Sequence, residues 1–160
     1  MNRLWAPWRL AYVSGAEPAT GCVFCEALRD DDDRRRFVLH RGRTAFLILN
    51  AYPYAPGHVM AVLNRHVGSV EEATPDELGE AMRLVQQATA ALRRAYRPDG
   101  FNIGLNQGRV AGAGIEGHLH VHVVPRWTGD TNFMAVLGDV KVLPEALGAT
   151  WERLRAAVSP

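Results

Sequence analysis

The sequence predicts an α+β domain built on an antiparallel sheet. Segments rich in β-branched and aromatic residues recur between short turns at 37–42, 44–50, 58–67, 101–107 and 118–127. One long amphipathic stretch, 74–96, separates the first three from the last two, and a second helical stretch fills 143–158. The strands thus fall into two sets around one helix, without the strand–helix alternation of a parallel sheet. The 160 residues suit one domain, and a hydrophobic content of 48% is enough for a core. The chain, 1–160, reads as a single domain with an N-terminal arm at 1–20 and a C-terminal extension at 128–160.

The elements follow in order. Residues 1–20 are broken by Pro7, Gly15 and Pro18, and Trp5 and Trp8 are expected to dock on the body or on a second subunit. CVFCEAL, 22–28, starts a short helix. DDDDRRR, 30–36, reads as a solvated loop. FVLHRG and TAFLILN are two strands joined by a turn at Gly42. AYPYAPG, 51–57, is a loop stiffened by Pro53, Pro56 and Gly57. HVMAVLNRHV is the third strand.

The long helix begins at Thr74 as N-cap, with Pro75 at N1 and Glu77 placed for a capping box. Leu78, Met82, Val85, Ala88 and Leu92 form its apolar stripe. RPDG stops it. FNIGLNQ is a fourth strand, GRVAGAGIEG a glycine-rich loop, and HLHVHVVPRW a fifth strand that Pro125 ends. LPEALGATWERLRAAV closes the chain as a helix, with Leu147, Trp151, Leu154 and Val158 on one stripe.

Composition removes several classes of function. A net charge of +1 gives no global field for nucleic acid. No apolar run is long enough to span a bilayer, and the first residues lack a secretory core, so a cytoplasmic protein without a membrane partner is expected. Lys141 is the only lysine, and no G-x-x-x-x-G-K-[ST] occurs. G-x-G-x-x-G after a strand and G-x-S-x-G are absent as well.

The unusual feature is GHLHVHVVPRW, 117–127. On a strand, His118, His120 and His122 share one face, and Leu119, Val121 and Val123 share the other. On a helix the same residues would splay and form no common site. An imidazole row can bind metal, shuttle protons or attack an electrophile, and a bare three-histidine metal site and a merely solvated strand face both stay open. The glycine loop before it allows backbone N–H groups close to an anion. Neutral imidazole can attack phosphorus and form a phosphoramidate that a second acceptor resolves.

His118-Leu-His120-Val-His122-Val-Val resembles the signature of the histidine triad (HIT) family. AYPYAPGHVMAV is similar to that family's P-x-x-P-G-H segment, and NIGLNQG to the strand entering its glycine loop. LWAPWR and PRWTGDTNF are similar to a narrower subgroup related to diadenosine tetraphosphate phosphorylase.

The resemblance implies a five-stranded antiparallel sheet with two helices, dimerising, with a tetramer left open. It implies nucleotidyl transfer or hydrolysis at the α-phosphate of adenine nucleotides or dinucleoside polyphosphates, with a phosphoramidase and a zinc-stabilised nucleotide-binding protein without turnover as alternatives. His120 matches the nucleophile, with His122 and His118 beside it. Asn50 stands where many members bind ribose with Asp. Asn106, Gly112, Gly114 and Ile115 fall where phosphate is contacted, and Phe46 and Ile48 are either base contacts or ordinary core. AGAGIEG lacks the Gln that many hydrolases of the family carry there, which favours a transferase. Arg109 and Arg126 are the cations nearest in sequence, and magnesium is allowed for as an escort of the polyphosphate.

C-x-x-C with distant histidines suffices for a tetrahedral zinc site. A redox pair and two reduced core thiols are the other readings, and no βαβ context supports the first. The resemblance implies the ligand set Cys22, Cys25, His66 and His118, in a structural role. His58 is expected to be a hydrogen-bonded core residue, and His40 has no evident role.

Overall fold

The structure is a computed structural model that describes residues 21–130 and 145–158. The arm with Trp5 and Trp8, the last three residues of PRWTGDTNF (131–133) and the segment holding Lys141 lie outside the described residues. The elements are α1 (Val23–Arg29), α2 (Asp33–Arg36), β1 (Val38–Arg41), β2 (Ala45–Leu49), β3 (Val59–Leu63), α3 (Pro75–Tyr96), β4 (Gly100–Gly104), a 3₁₀ turn at Arg109–Ala111, β5 (His120–Arg126) and α4 (Leu147–Val158). No described helix is long and apolar enough to cross a membrane.

The strands form one antiparallel sheet in the order β1-β2-β3-β5-β4. The two sets expected from sequence are therefore continuous, joined where β5 inserts between β3 and β4. Every residue of β2 and β3 is buried because both sheet faces are covered. One face presents Leu47, Ala61, Leu119, Val121 and Val123 to α3 and α4 and holds the main core. The other gathers Phe46, Ile48, Met60 and Val62 with Phe24 and Ala27 of α1. Register pairs Met60 with His122 and Val62 with His120, so the histidine row lies on this second face. The alternation predicted for β5 is the one observed.

α3 starts as expected. Thr74 Oγ1 accepts from the Glu77 N–H, and Glu77 accepts from the Thr74 N–H at 2.8 Å. Of the expected stripe, Val85, Ala88 and Leu92 are buried and Leu78 packs against the core, but Met82 does not join them. Ala81, Leu84, Val85, Ala88, Ala91 and Leu92 face the sheet, while Met82 is 50% exposed. Small alanines let the helix approach the sheet closely, so the buried stripe follows them and leaves the larger methionine outside.

Two further expectations are corrected. DDDDRRR is not simply a loop. Asp32 caps the one-turn α2 by accepting from the Arg35 N–H at 3.0 Å. Asp30 accepts from Arg35 and Arg36 at 2.6 and 2.7 Å, so the opposite charges pair with one another. Nor does Pro125 end β5. It pairs with Phe101 of β4, beyond Val123, the last residue paired to β3. There β5 has a neighbour on one side only, where the missing N–H is tolerated.

The two sheet edges differ. Trp151 and Arg155 of α4 donate to the carbonyls of Val38 and Leu39, which covers β1 at its irregular register. On β4, Asn102, Ile103 and Gly104 are exposed.

Candidate active site and metal centre

β5 and the segment leading into it, which holds His118, deliver three imidazoles to the second face, and hydrogen bonds fix the state of each. His118 is fully buried. Its Nε2–H donates to the Leu63 carbonyl at 2.6 Å, which leaves the Nδ1 lone pair facing Cys22 Sγ at 3.2 Å and Cys25 Sγ at 3.6 Å. His66, on the loop after β3, brings its Nδ1 to 3.4 Å from Cys25 Sγ.

The four ligand atoms lie within 4.8 Å of one another. Zinc bonds of about 2.3 Å to sulfur and about 2.0 Å to nitrogen set tetrahedral ligands roughly 3.3–3.8 Å apart, close to the sulfur–nitrogen distances of 3.2, 3.4 and 3.6 Å seen here. Burial and the adjacent Cys22 push the Cys25 thiol above its usual value. A bound cation reverses that by favouring thiolate. The donor set therefore fits zinc. Backbone proximity makes the cluster possible, since a Cβ on Gly117 would stand 3.1 Å from His66 Nε2, and one on Gly68 would stand 2.8 Å from the Glu116 carbonyl oxygen.

His120 is 5% exposed, and its Nδ1–H donates to the His118 carbonyl at 2.8 Å. The lone pair is therefore on Nε2. Burial pushes its pKa below the ordinary imidazole value, against the opposing hydrogen bond to His118. The ring is neutral at pH 7, as a nucleophile must be.

His122 receives its tautomer from His58. The Tyr54 N–H donates to His58 Nδ1 at 3.1 Å, so the His58 proton sits on Nε2. That Nε2–H donates to His122 Nδ1 at 3.0 Å, which places the His122 proton on its own Nε2. The middle histidine thus offers a lone pair and the third a donor. His58 is the buried, hydrogen-bonded residue expected, and it stands apart from the metal cluster.

A cleft beside the row is lined by Phe24, Asn50, Tyr52, Tyr54, Met60, Gly114, Ile115 and His122. Asn50 Oδ1 accepts from the Tyr52 N–H at 2.8 Å, which holds the side chain at the cleft with its Nδ2 as a donor and a second Oδ1 lone pair as an acceptor. Gly114 and Ile115 reach the lining. Gly112 holds φ +91°, and its carbonyl accepts from Asn106 Nδ2 at 3.4 Å. Phe46 and Ile48 are buried in the apolar cluster around Met60, where they are not among the lining residues.

Arg109 and Arg126 do not reach the lining either. Arg109 pairs with Glu116 at 2.5 Å, and Arg126 pairs with Asp130 at 2.6 Å. Phe24, Tyr52, Tyr54 and Met60 went unrecognised in the sequence. The one signal for Phe24 was its position between the two cysteines, and for the tyrosines their place just before P-G-H.

With this geometry in view, comparisons with known proteins are specific. A family model described as HIT domain matches residues 33–129. The chain is 41% identical over 160 residues to a protein of Mycobacterium tuberculosis H37Rv named AP-4-A phosphorylase, across 94% of this chain and 80% of that one. It is 30% identical over 93 residues to the asymmetrical bis(5'-nucleosyl)-tetraphosphatase of Schizosaccharomyces pombe, across 58% of this chain and 50% of that one. Among solved structures, a Zn-bound histidine triad family protein from Mycobacterium smegmatis aligns with a TM-score of 0.71 and 25% identity, covering 86% of this chain and 93% of that one.

Proposed function

The chain belongs to the HIT family, and from that premise we propose that it is a nucleotidyl transferase of dinucleoside polyphosphates, in the first place a diadenosine tetraphosphate phosphorylase. The observation that carries this reading is His120, a buried neutral imidazole whose Nδ1–H is committed to the His118 carbonyl. Its Nε2 attacks the α-phosphorus. The P–O bond to the bridging oxygen breaks, and ATP departs with the electron pair. The positive charge left on the imidazole is stabilised by the His118 carbonyl. His122 donates through Nε2–H to the departing phosphate oxygen. An oxygen of inorganic phosphate then attacks the same phosphorus and breaks the P–N bond, which frees His120 and yields ADP.

Asn50 and the Gly112–Ile115 loop hold the ribose and phosphates in this reading, and the apolar lining holds the base, with Phe46 and Ile48 packed behind Met60 in the core. Asn106 supports the loop through Gly112. Zinc on Cys22, Cys25, His66 and His118 supplies a structural cross-link, since four protein ligands close its coordination. Magnesium as an escort of the substrate fits a lining that, among the described residues, holds no Lys or Arg. The β4 edge, exposed at Asn102, Ile103 and Gly104 among the described residues, supports a homodimer. A cytoplasmic location suits both the nucleotide substrate and the free cysteines.

Product analysis with diadenosine tetraphosphate, with and without phosphate, is the test. ADP plus ATP only when phosphate is present is the expected result. AMP plus ATP regardless of phosphate replaces the phosphorylase by a hydrolase, the activity named for the fission-yeast relative. No cleavage in either case sinks the reading.

A further inference from the structure

Phe24 stands between the two centres. It lies on α1 between Cys22 and Cys25, and it is 2% exposed. Its ring meets His118 edge-on at 5.4 Å and His120 at 5.1 Å. The same ring lines the nucleotide cleft together with Met60 and Ile115.

The helix that carries Phe24 has 7 residues and no side-chain N-cap hydrogen bond. An isolated helix this short does not persist, so contacts with the body must hold it. At its C-terminal end, Arg41 donates to the carbonyls of Ala27, Leu28 and Asp30 at 3.0, 2.9 and 2.5 Å. At its N-terminal end, beside Phe24, the two thiols reach His118 and His66.

We infer that metal occupancy at Cys22, Cys25, His66 and His118 sets the Phe24 wall of the nucleotide cleft, so that metal and nucleotide tighten each other's binding. The inference rests on the zinc and nucleotide readings above and gives the metal a second role in shaping the cleft. Phe24 is a positioning residue here, acting between the metal ligands and the bound base. His118 adds a parallel route, because the ring that meets the thiols belongs to the residue whose carbonyl orients His120.

Coupling of this kind is reciprocal, so it can be read from the metal side without any turnover. Zinc-loaded protein is titrated with a chromophoric chelator, with and without saturating AMP. AMP is expected to raise zinc affinity about tenfold, and AMP binding measured by calorimetry should weaken by the same factor in the metal-free protein. Phe24→Ala should bind AMP more weakly and lose most of the coupling. Phe24→Leu keeps an apolar body for folding and should show an intermediate coupling.

Equal zinc affinity with and without AMP in the wild type overturns the inference. So does full coupling in either variant, which would mean that AMP merely favours the folded protein. Failure of the loaded protein to bind AMP at all overturns the nucleotide reading itself, and failure to bind zinc overturns the metal reading; the coupling falls with either.

Discussion

His58 Nε2 stands 3.0 Å from His122 Nδ1, and the direction of that hydrogen bond is imposed from outside the pair by the Tyr54 N–H. A backbone donor in the loop before β3 therefore decides which nitrogen of a β5 histidine carries the proton. Replacing His58 by Phe should leave His122 free to adopt the wrong tautomer. We expect kcat to fall about tenfold to a hundredfold, the size usual for groups that orient a functional histidine. KM should change little. His58→Gln, which retains a side-chain donor, should recover part of the loss. A Phe variant with wild-type kcat would show that His122 needs no orienting partner.

His120→Ala removes the lone pair while leaving the cleft lining in place. Turnover should fall by at least about a thousandfold, because no other buried imidazole nitrogen faces the phosphorus in the proposed geometry. AMP affinity measured by calorimetry should stay within about threefold, since the contacts that bind are elsewhere. Acid-quench mass spectrometry should find an adenylyl adduct on the wild type during turnover and none on the variant. An adduct on the Ala variant would move the nucleophile to another residue.

Glu77 has two duties. It closes the capping box with Thr74, and it takes a pair of hydrogen bonds from Arg65 at 2.9 Å, one residue before His66. The Arg65 guanidinium, helped by the Thr74 N–H, pulls the Glu77 carboxyl from its ordinary 4.5 down to about 2. A lowered folded-state value means that the stabilisation is present above pH 4.5 and is lost as the pH falls toward 2. Arg65→Ala should therefore be less stable than wild type at pH 7, by a modest amount because Arg65 is half exposed. Urea melts across that range should show the gap closing as Glu77 protonates. A gap of constant size at every pH would assign the effect to packing of the Arg65 stem.

The triad strand was legible because two signals agreed there. Period-two histidines and the alternating apolar residues Leu119, Val121 and Val123 admit only a strand with two different faces. Thr74, Pro75 and Glu77 were equally readable, since capping is a local chemistry. What sequence hid was tertiary. Met82 fits the helical stripe by spacing, but the closeness allowed by Ala81, Ala88 and Ala91 rotated the buried face away from it. Phe24 carried no sequence signal beyond its place in a short helix, and its contact with His120, 96 positions later, follows only from the way α1 folds over the second sheet face. Arg109 and Arg126 were near the site in sequence, yet Glu116 and Asp130 lie nearer still to their guanidinium groups.

Gly57 joins the rigid loop to β3, and its φ of +78° is one that side-chain-bearing residues rarely adopt. A Cβ there would also lie 2.8 Å from Leu92 Cδ2, with Tyr96 and Pro125 close behind. Leu92 is fully buried, so its tip has little room to retreat. Gly57→Ala should therefore destabilise the fold by about 1–3 kcal/mol from backbone strain and overpacking together. For a chain of this length that corresponds to a fall in Tm of roughly 2–4 °C per kcal/mol, which scanning calorimetry resolves. Because His58 is the next residue, the same strain should misplace the donor to His122, so kcat should drop along with Tm. Gly148→Ala is the control: among the described residues a Cβ there meets nothing within 4 Å, and α4 gains helix propensity. That variant should melt no lower than wild type. A Gly57→Ala protein that melts with it would mean that the loop before β3 relaxes freely, and that the position of His58 is set by its hydrogen bonds alone.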